Sequence, residues 1–126
     1  MSLVLVMLGG AVGSGLRFLV AQWLPSAPGT MPLATILVNV IGSGLLGAVT
    51  VLSTQHTMLS RDMALLLGAG LCGGFTTFST LSVELLTMAD HGRLGLSIVY
   101  LILSVGLGLA AAAAGAGLAR MFAPAT

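Results

Sequence analysis

Gly68-Ala69-Gly70-Leu71-Cys72-Gly73-Gly74-Phe75-Thr76-Thr77-Phe78-Ser79-Thr80-Leu81-Ser82 lies in the middle of a long apolar segment, and how it folds decides the architecture. Two consecutive glycines, followed by a run of β-branched and small hydroxyl residues, make poor helix material. At mid-membrane a helix break is tolerated only where the freed C=O and N–H groups face protein or a polar cavity. Such breaks bind ions, with carbonyls taking cations and helix N-termini attracting anions. A continuous Gly-rich packing helix is the alternative. The density of hydroxyls beside the glycine pair favours the break.

Outward from this stretch, apolar segments fall at about 3–24, 32–52, 63–88 and 94–118. Each is about long enough to cross a hydrocarbon layer roughly 30 Å thick. Pro25-Ser26-Ala27-Pro28-Gly29-Thr30 is a run of turn formers, and Pro32 suits the first turn of the second helix. Ser53-Thr54-Gln55-His56 opens the next connection, Ala89-Asp90-His91-Gly92-Arg93 forms the third, and Arg120-Met121-Phe122-Ala123-Pro124 ends the last segment. The expectation is an all-α membrane protein: one four-helix transmembrane domain over residues 1–126, its third helix broken near mid-membrane.

Composition agrees. Of the 126 residues, 57% are hydrophobic and 6% charged, where a soluble chain has about a quarter charged. The mean hydropathy is +1.15. Four Arg with no Lys, spread along the chain, supply no basic face for nucleic acid. Cys72 is the only cysteine, so no intrachain disulfide forms, and His56 and His91 lie far apart and suggest no metal cluster. A signal peptide is disfavoured, because no Lys or Arg precedes Gly9 and Arg17 falls where the apolar region would be.

Four helices make a thin bundle. Gly9 with Gly13, and Ser43 with Gly47, provide close-contact pairs at helix spacing. An oligomer is therefore expected as the working unit. Arg61 and Arg120 fall on one side of the membrane, Arg93 on the other, and Arg17 in the half of its helix nearest Arg93. With so little excess, the charges barely fix orientation. Either unseen factors set one orientation, or the chain inserts both ways and opposite copies pair.

The polar residues form stripes. Gly9, Gly13 and Arg17 share a face. Arg17 either snorkels to the interface or attracts anions in a vestibule. Thr35, Asn39 and Ser43 form a second stripe. Thr35 and Ser43 can serve as interhelical ties, but the two N–H donors of Asn39 need partners, which favours a functional role. Thr77, Thr80 and Glu84 share a rough face if the helix has resumed by Thr77, with Leu81 beside it. Ser97, Tyr100, Ser104 and Gly108 form another, and 110–116 reads as close packing. Neutral donors outnumber buried carboxylates, favouring an anion or small polar solute over a cation. No base is paired with a nucleophile, so the chain is not expected to be an enzyme.

Together these residues resemble the small fluoride channels called Fluc or CrcB. The resemblance covers essentially the whole chain. It rests on Gly9-Gly10 through Gly13 to Arg17, on Asn39-Val40-Ile41-Gly42-Ser43, and above all on Gly70-Leu71-Cys72-Gly73-Gly74-Phe75-Thr76-Thr77-Phe78-Ser79-Thr80. It implies an antiparallel, dual-topology dimer with two narrow fluoride pores, in a plasma or bacterial inner membrane. It implies a structural Na⁺ at the dimer centre, on the backbone carbonyls of Gly73 and Thr76. Asn39 matches the pore Asn, Phe78 the first pore Phe and Arg17 the first-helix Arg. Ser79, Thr80, Glu84, Tyr100 and Ser104 match the fluoride track.

Leu81 departs from the pattern, which usually has a second pore Phe there. A ring edge carries partial positive charge toward an anion, and an isobutyl group does not. Either the pore tolerates Leu, or conduction is slower, or the chain is one subunit of a heterodimer. The flat Arg distribution favours a homodimer. The expected function is passive export of fluoride. A small proton-coupled secondary exporter is the runner-up, although that class usually carries an acid in its first helix. A non-transporting assembly subunit is the third alternative.

Overall fold

The computed structural model describes residues 1–54 and 58–122. Among them four helical spans are long and apolar enough to cross a membrane. Helix α1 is Ser2–Trp23 and α2 is Leu33–Thr54. Pro32, expected inside α2, sits just before it, and its carbonyl accepts from Ile36 N–H at 3.3 Å. The connection at Gln55-His56 and the stop at Ala123-Pro124 lie outside the described residues.

The third span, Arg61–Asp90, is not one helix. Its first half, α3 (residues 61–75), starts at Ser60, whose Oγ accepts from Met63 N–H at 3.2 Å. The turns widen over Leu65–Cys72 into a π-helix, where Gly73 N–H reaches back to Gly68 O. The chain then extends through Thr76 and Thr77 and resumes as α4, Phe78–Asp90. The break thus falls after the glycine pair. Gly73 and Gly74 are still helical, and the two threonines carry the extended backbone. Helix α5, Leu94–Phe122, runs four residues past the expected end at 118.

Two tight contacts set the bundle. Helix α1 packs mainly on α3, and α2 mainly on α5. At Gly9 and Gly13 an added Cβ would strike α3 backbone, at Leu66 O and Leu71 O respectively. At Gly47 and Gly115 it would strike Ala112 O and Gly44 O. These are the close backbone approaches that small residues permit, and they stand in for a hydrophobic driving force that lipid cannot supply. Ser43, paired with Gly47 in the sequence, has its Oγ 3.6 Å from where a Gly108 Cβ would be.

Few side chains are deeply buried. Leu81, Met88 and Tyr100 form one cluster where α4 meets α5, with Met31 and Ile36 against it. Phe18, Leu37, Ile102, Leu109 and many other large apolar residues face outward. In water such a surface would be an aggregation hazard; in lipid it is the solvent-facing side. The protein is therefore an integral, multi-pass membrane protein.

Candidate functional site

The site begins at the break. Thr76 and Thr77 have extended backbones (φ −82°, ψ 160° and φ −152°, ψ 122°). Their N–H and hydroxyl groups are all given partners nearby. Thr76 N–H and Oγ1 both donate to Cys72 O, at 2.9 Å each. Thr77 caps α4: its Oγ1 accepts from Thr80 N–H at 3.1 Å and donates to Thr80 Oγ1 at 3.0 Å. Asn39, reaching over from α2, completes the arrangement. Its Oδ1 accepts from Thr77 N–H at 2.7 Å and its Nδ2 donates to Thr77 O at 3.1 Å. One side chain thus satisfies both backbone groups of the break residue, and the second Nδ2 proton is left over.

This pattern frees two carbonyls. In a continuous helix Thr77 N–H would bond Gly73 O, and Thr80 N–H would bond Thr76 O. Asn39 takes the first donor and the Thr77 hydroxyl takes the second. Gly73 is also exposed on the surface of the single chain. Hard, neutral oxygens without their helical donors fit Na⁺, and these are the two residues to which the sequence resemblance assigns it.

Beside the break lies a cleft of about 690 Å³. Arg17, Thr35, Thr77, Thr80 and Glu84 contribute its polar wall. Arg17 is half-buried and, among the described residues, makes no hydrogen bond or ion pair. Glu84 is tied at both oxygens: Thr35 Oγ1 donates to Oε1 at 2.9 Å and Tyr100 OH donates to Oε2 at 2.6 Å. Each of those hydroxyls has one proton, and Glu84 takes it. Thr80 differs, because its Oγ1 accepts from Thr77 and among the described residues its own proton has no acceptor.

Behind Glu84, α5 presents three buried polar residues. Ser97 Oγ donates to Leu85 O at 3.0 Å, tying α5 to α4. Tyr100 holds Glu84. Ser104 Oγ is buried beside the Tyr100 hydroxyl, and among the described residues no group meets it in good hydrogen-bond geometry. An orphaned hydroxyl in a protein interior calls for an explanation, such as an ion or water that it serves.

The expected site residues therefore fall into groups. Arg17, Thr80 and Glu84 meet in the cleft; Asn39 sits on the break; Tyr100 and Ser104 lie buried on α5. Phe78 and Ser79 face out of the single chain, Phe78 with 78% of its surface exposed. Leu81 is 5% exposed and packs inside the subunit with Tyr100 and Met88, away from the cleft. Two features escaped the sequence reading. One is the Thr77 cap, whose signal, a Thr three residues before Thr80 at a helix start, was visible. The other is the Asn39–Thr77 clamp, which local sequence does not announce.

A family model described as "CrcB-like protein, Camphor Resistance (CrcB)" matches residues 4–116. The chain belongs to the CrcB family. Among curated relatives of this CrcB chain, one from Anaeromyxobacter sp. (strain K) is 44% identical over 104 residues, covering 82% of each chain. One from Roseiflexus sp. (strain RS-1) is 41% identical over 122 residues, covering 96% of this chain and 98% of its own. One from Chlorobium phaeobacteroides (strain BS1) is 38% identical over 122 residues, covering 97% and 95%. Each of these three relatives is named "Fluoride-specific ion channel FluC".

Proposed function

We propose that this CrcB chain builds a passive, fluoride-selective channel that exports F⁻ down its electrochemical gradient. The observation that carries this reading is the Ser104 hydroxyl, buried on the α5 face one turn beyond Tyr100 with no partner in good hydrogen-bond geometry. A bare anion in lipid is prohibitive unless fixed donors replace its water. Ser104, the free proton of Thr80 and the second Nδ2 proton of Asn39 are such donors. Arg17 raises local anion concentration in the cleft. Each monovalent anion leaving a negative interior gains about 2.3 kcal/mol per 100 mV, so no energy source beyond the gradient is needed.

The pore is completed by a second, antiparallel copy. Phe78 and Ser79, exposed on one chain, then face a pore shared with the partner, the phenyl presenting its positive edge. The Gly73 and Thr76 carbonyls would be the groups that hold a Na⁺ between the two chains. Held there, the ion would join the chains and not be carried. Sodium flux should stay at background while fluoride leaves; sodium flux in proportion to fluoride would contradict the structural role.

The decisive test is efflux from liposomes holding the chain purified alone. Fluoride should leave rapidly and chloride should not. Equal leak of both sinks selectivity. No flux until a second CrcB chain is added supports a heterodimer. Proton-coupled flux that Glu84→Gln removes would revive the exporter.

Ser104 offers a sharper check. If its hydroxyl served only the fold, Ser104→Ala would leave flux unchanged. If it serves the ion, Ser104→Ala cuts fluoride flux while stability holds or rises by about 1–3 kcal/mol, because a buried unsatisfied group has been removed. Thermal unfolding and efflux measured on the same preparation separate the two.

A further inference from the structure

At one end of the bundle the turn after α4 grips the loop between α1 and α2. Gly29, buried and at φ 74°, sits under the His91 ring; a Cβ there would lie 3.1 Å from His91 Cβ. His91 is itself fixed, with Nδ1 donating to Thr87 O at 2.8 Å. Arg93 Nη1 then donates to Gly29 O at 3.1 Å, across 64 residues of sequence. The gripped loop is folded on itself by Thr30, whose N–H and Oγ1 donate to Ala27 O at 3.1 and 2.7 Å. The same loop supplies Leu24, Pro25 and Ser26 to the wall of the cleft that holds Arg17 and Glu84.

We propose that Arg93 is a positioning residue: by holding Gly29 it keeps the loop in place as the outer wall of the cleft, and so sets how well the cleft captures fluoride. It acts through the loop and touches no ion. Met31 anchors the far end of the loop against the cluster of Leu81, Met88 and Tyr100, so loss of Arg93 loosens the wall without unfolding the bundle. The capture step rests on the channel reading above; the grip on the loop does not.

Two measurements on the full chain in liposomes test this. Hydrogen exchange over residues 25–31 reads the grip without any ion. Arg93→Met should speed it about tenfold, the loss of one charge-assisted hydrogen bond. Fluoride efflux reads the consequence: severalfold slower at low fluoride and unchanged at saturation, as expected when capture alone is weakened. The second variant adds Gly29→Cys and His91→Cys to Arg93→Met. The 3.1 Å Cβ spacing is close to disulfide geometry, and because Cys is strained at φ 74° the reduced form of the same triple variant is the reference. Oxidation should restore slow exchange and low-fluoride flux with the positive charge still missing, and reduction should remove both.

Unchanged exchange in Arg93→Met overturns the proposal. So does flux that Arg93→Lys restores and the disulfide does not, because the charge itself would then be the working part. If the unsubstituted chain fails to conduct fluoride, the channel reading fails, and exchange alone still decides whether Arg93 holds the loop.

Discussion

Asn39→Asp should abolish fluoride efflux in a protein that still folds. The substitution is nearly isosteric, and the structure shows what it changes. The carboxylate can still accept from Thr77 N–H, where Asn39 Oδ1 now sits at 2.7 Å. It cannot donate to Thr77 O, where Nδ2 now sits at 3.1 Å. That loss destabilises by about 1–3 kcal/mol, which a whole bundle survives. The effect on the ion is larger. A unit negative charge about 4 Å from fluoride opposes it by about 4 kcal/mol at an effective dielectric of 20, about a thousandfold in occupancy. Monodisperse protein with a modestly lowered melting temperature and no measurable flux is the expected outcome. Flux within a few fold of the parent would show that Asn39 is only a clamp on the break and that the anion passes elsewhere. Asn39→Ala separates the two roles from the other side. It leaves both Thr77 groups unpaired but adds no charge, so stability should fall while some flux remains.

The clamp also shows where sequence reasoning reaches its limit. Membrane spans are legible because hydropathy adds up over about 20 residues, whatever the neighbours do. The polar stripes are legible for a similar reason: Thr35, Asn39 and Ser43 must share a face on any helix. The location of the break is different. Glycine pairs are the weakest local material, yet Gly73 and Gly74 stay helical and the chain opens at Thr76 and Thr77. What moves the break is a competitor for the Thr77 N–H, and that competitor is 38 residues away. Propensity sums contain no such contribution.

Leu81 follows from the same cause. Its face depends on the phase at which α4 restarts, and the Thr77 cap sets that phase by taking Thr80 N–H. With the restart at Phe78, Leu81 turns into the subunit core while Phe78 turns out. The position where the family resemblance expects a second Phe thus holds a leucine that serves the packing around Tyr100. The π-helical turns of Leu65–Cys72 were not legible either. They lie where the α1 backbone packs against Leu66 O and Leu71 O, a contact between distant segments that local sequence does not announce.

That contact should make Gly13→Val one of the most damaging single changes to the fold. An added Cβ at Gly13 would overlap Leu71 O and lie 2.8 Å from Phe75 N and 3.1 Å from Gly74 C. All three are backbone atoms, so no side-chain rotation relieves the overlap. On the other side, Gly74 is pressed against Gly10, where its own Cβ would lie 3.0 Å from Gly10 Cα. Neither helix has slack, and α1 must move away from α3. Overpacking in cores costs about 1–3 kcal/mol where side chains can yield, and more is expected here because only backbone can. Arg17 lies one turn after Gly13 on the same helix face, so a displaced α1 also takes the cleft's unpaired charge with it. Expected results are loss of monodisperse protein on size-exclusion chromatography and, in any folded fraction, a melting temperature lowered by many degrees with little flux. Gly15→Val is the control two residues away. No atom lies within 4 Å of where its Cβ would be, so within the single chain it should change stability by no more than about 0.5 kcal/mol. If the two variants behaved alike, the close α1–α3 contact at Gly13 would not be what the fold depends on.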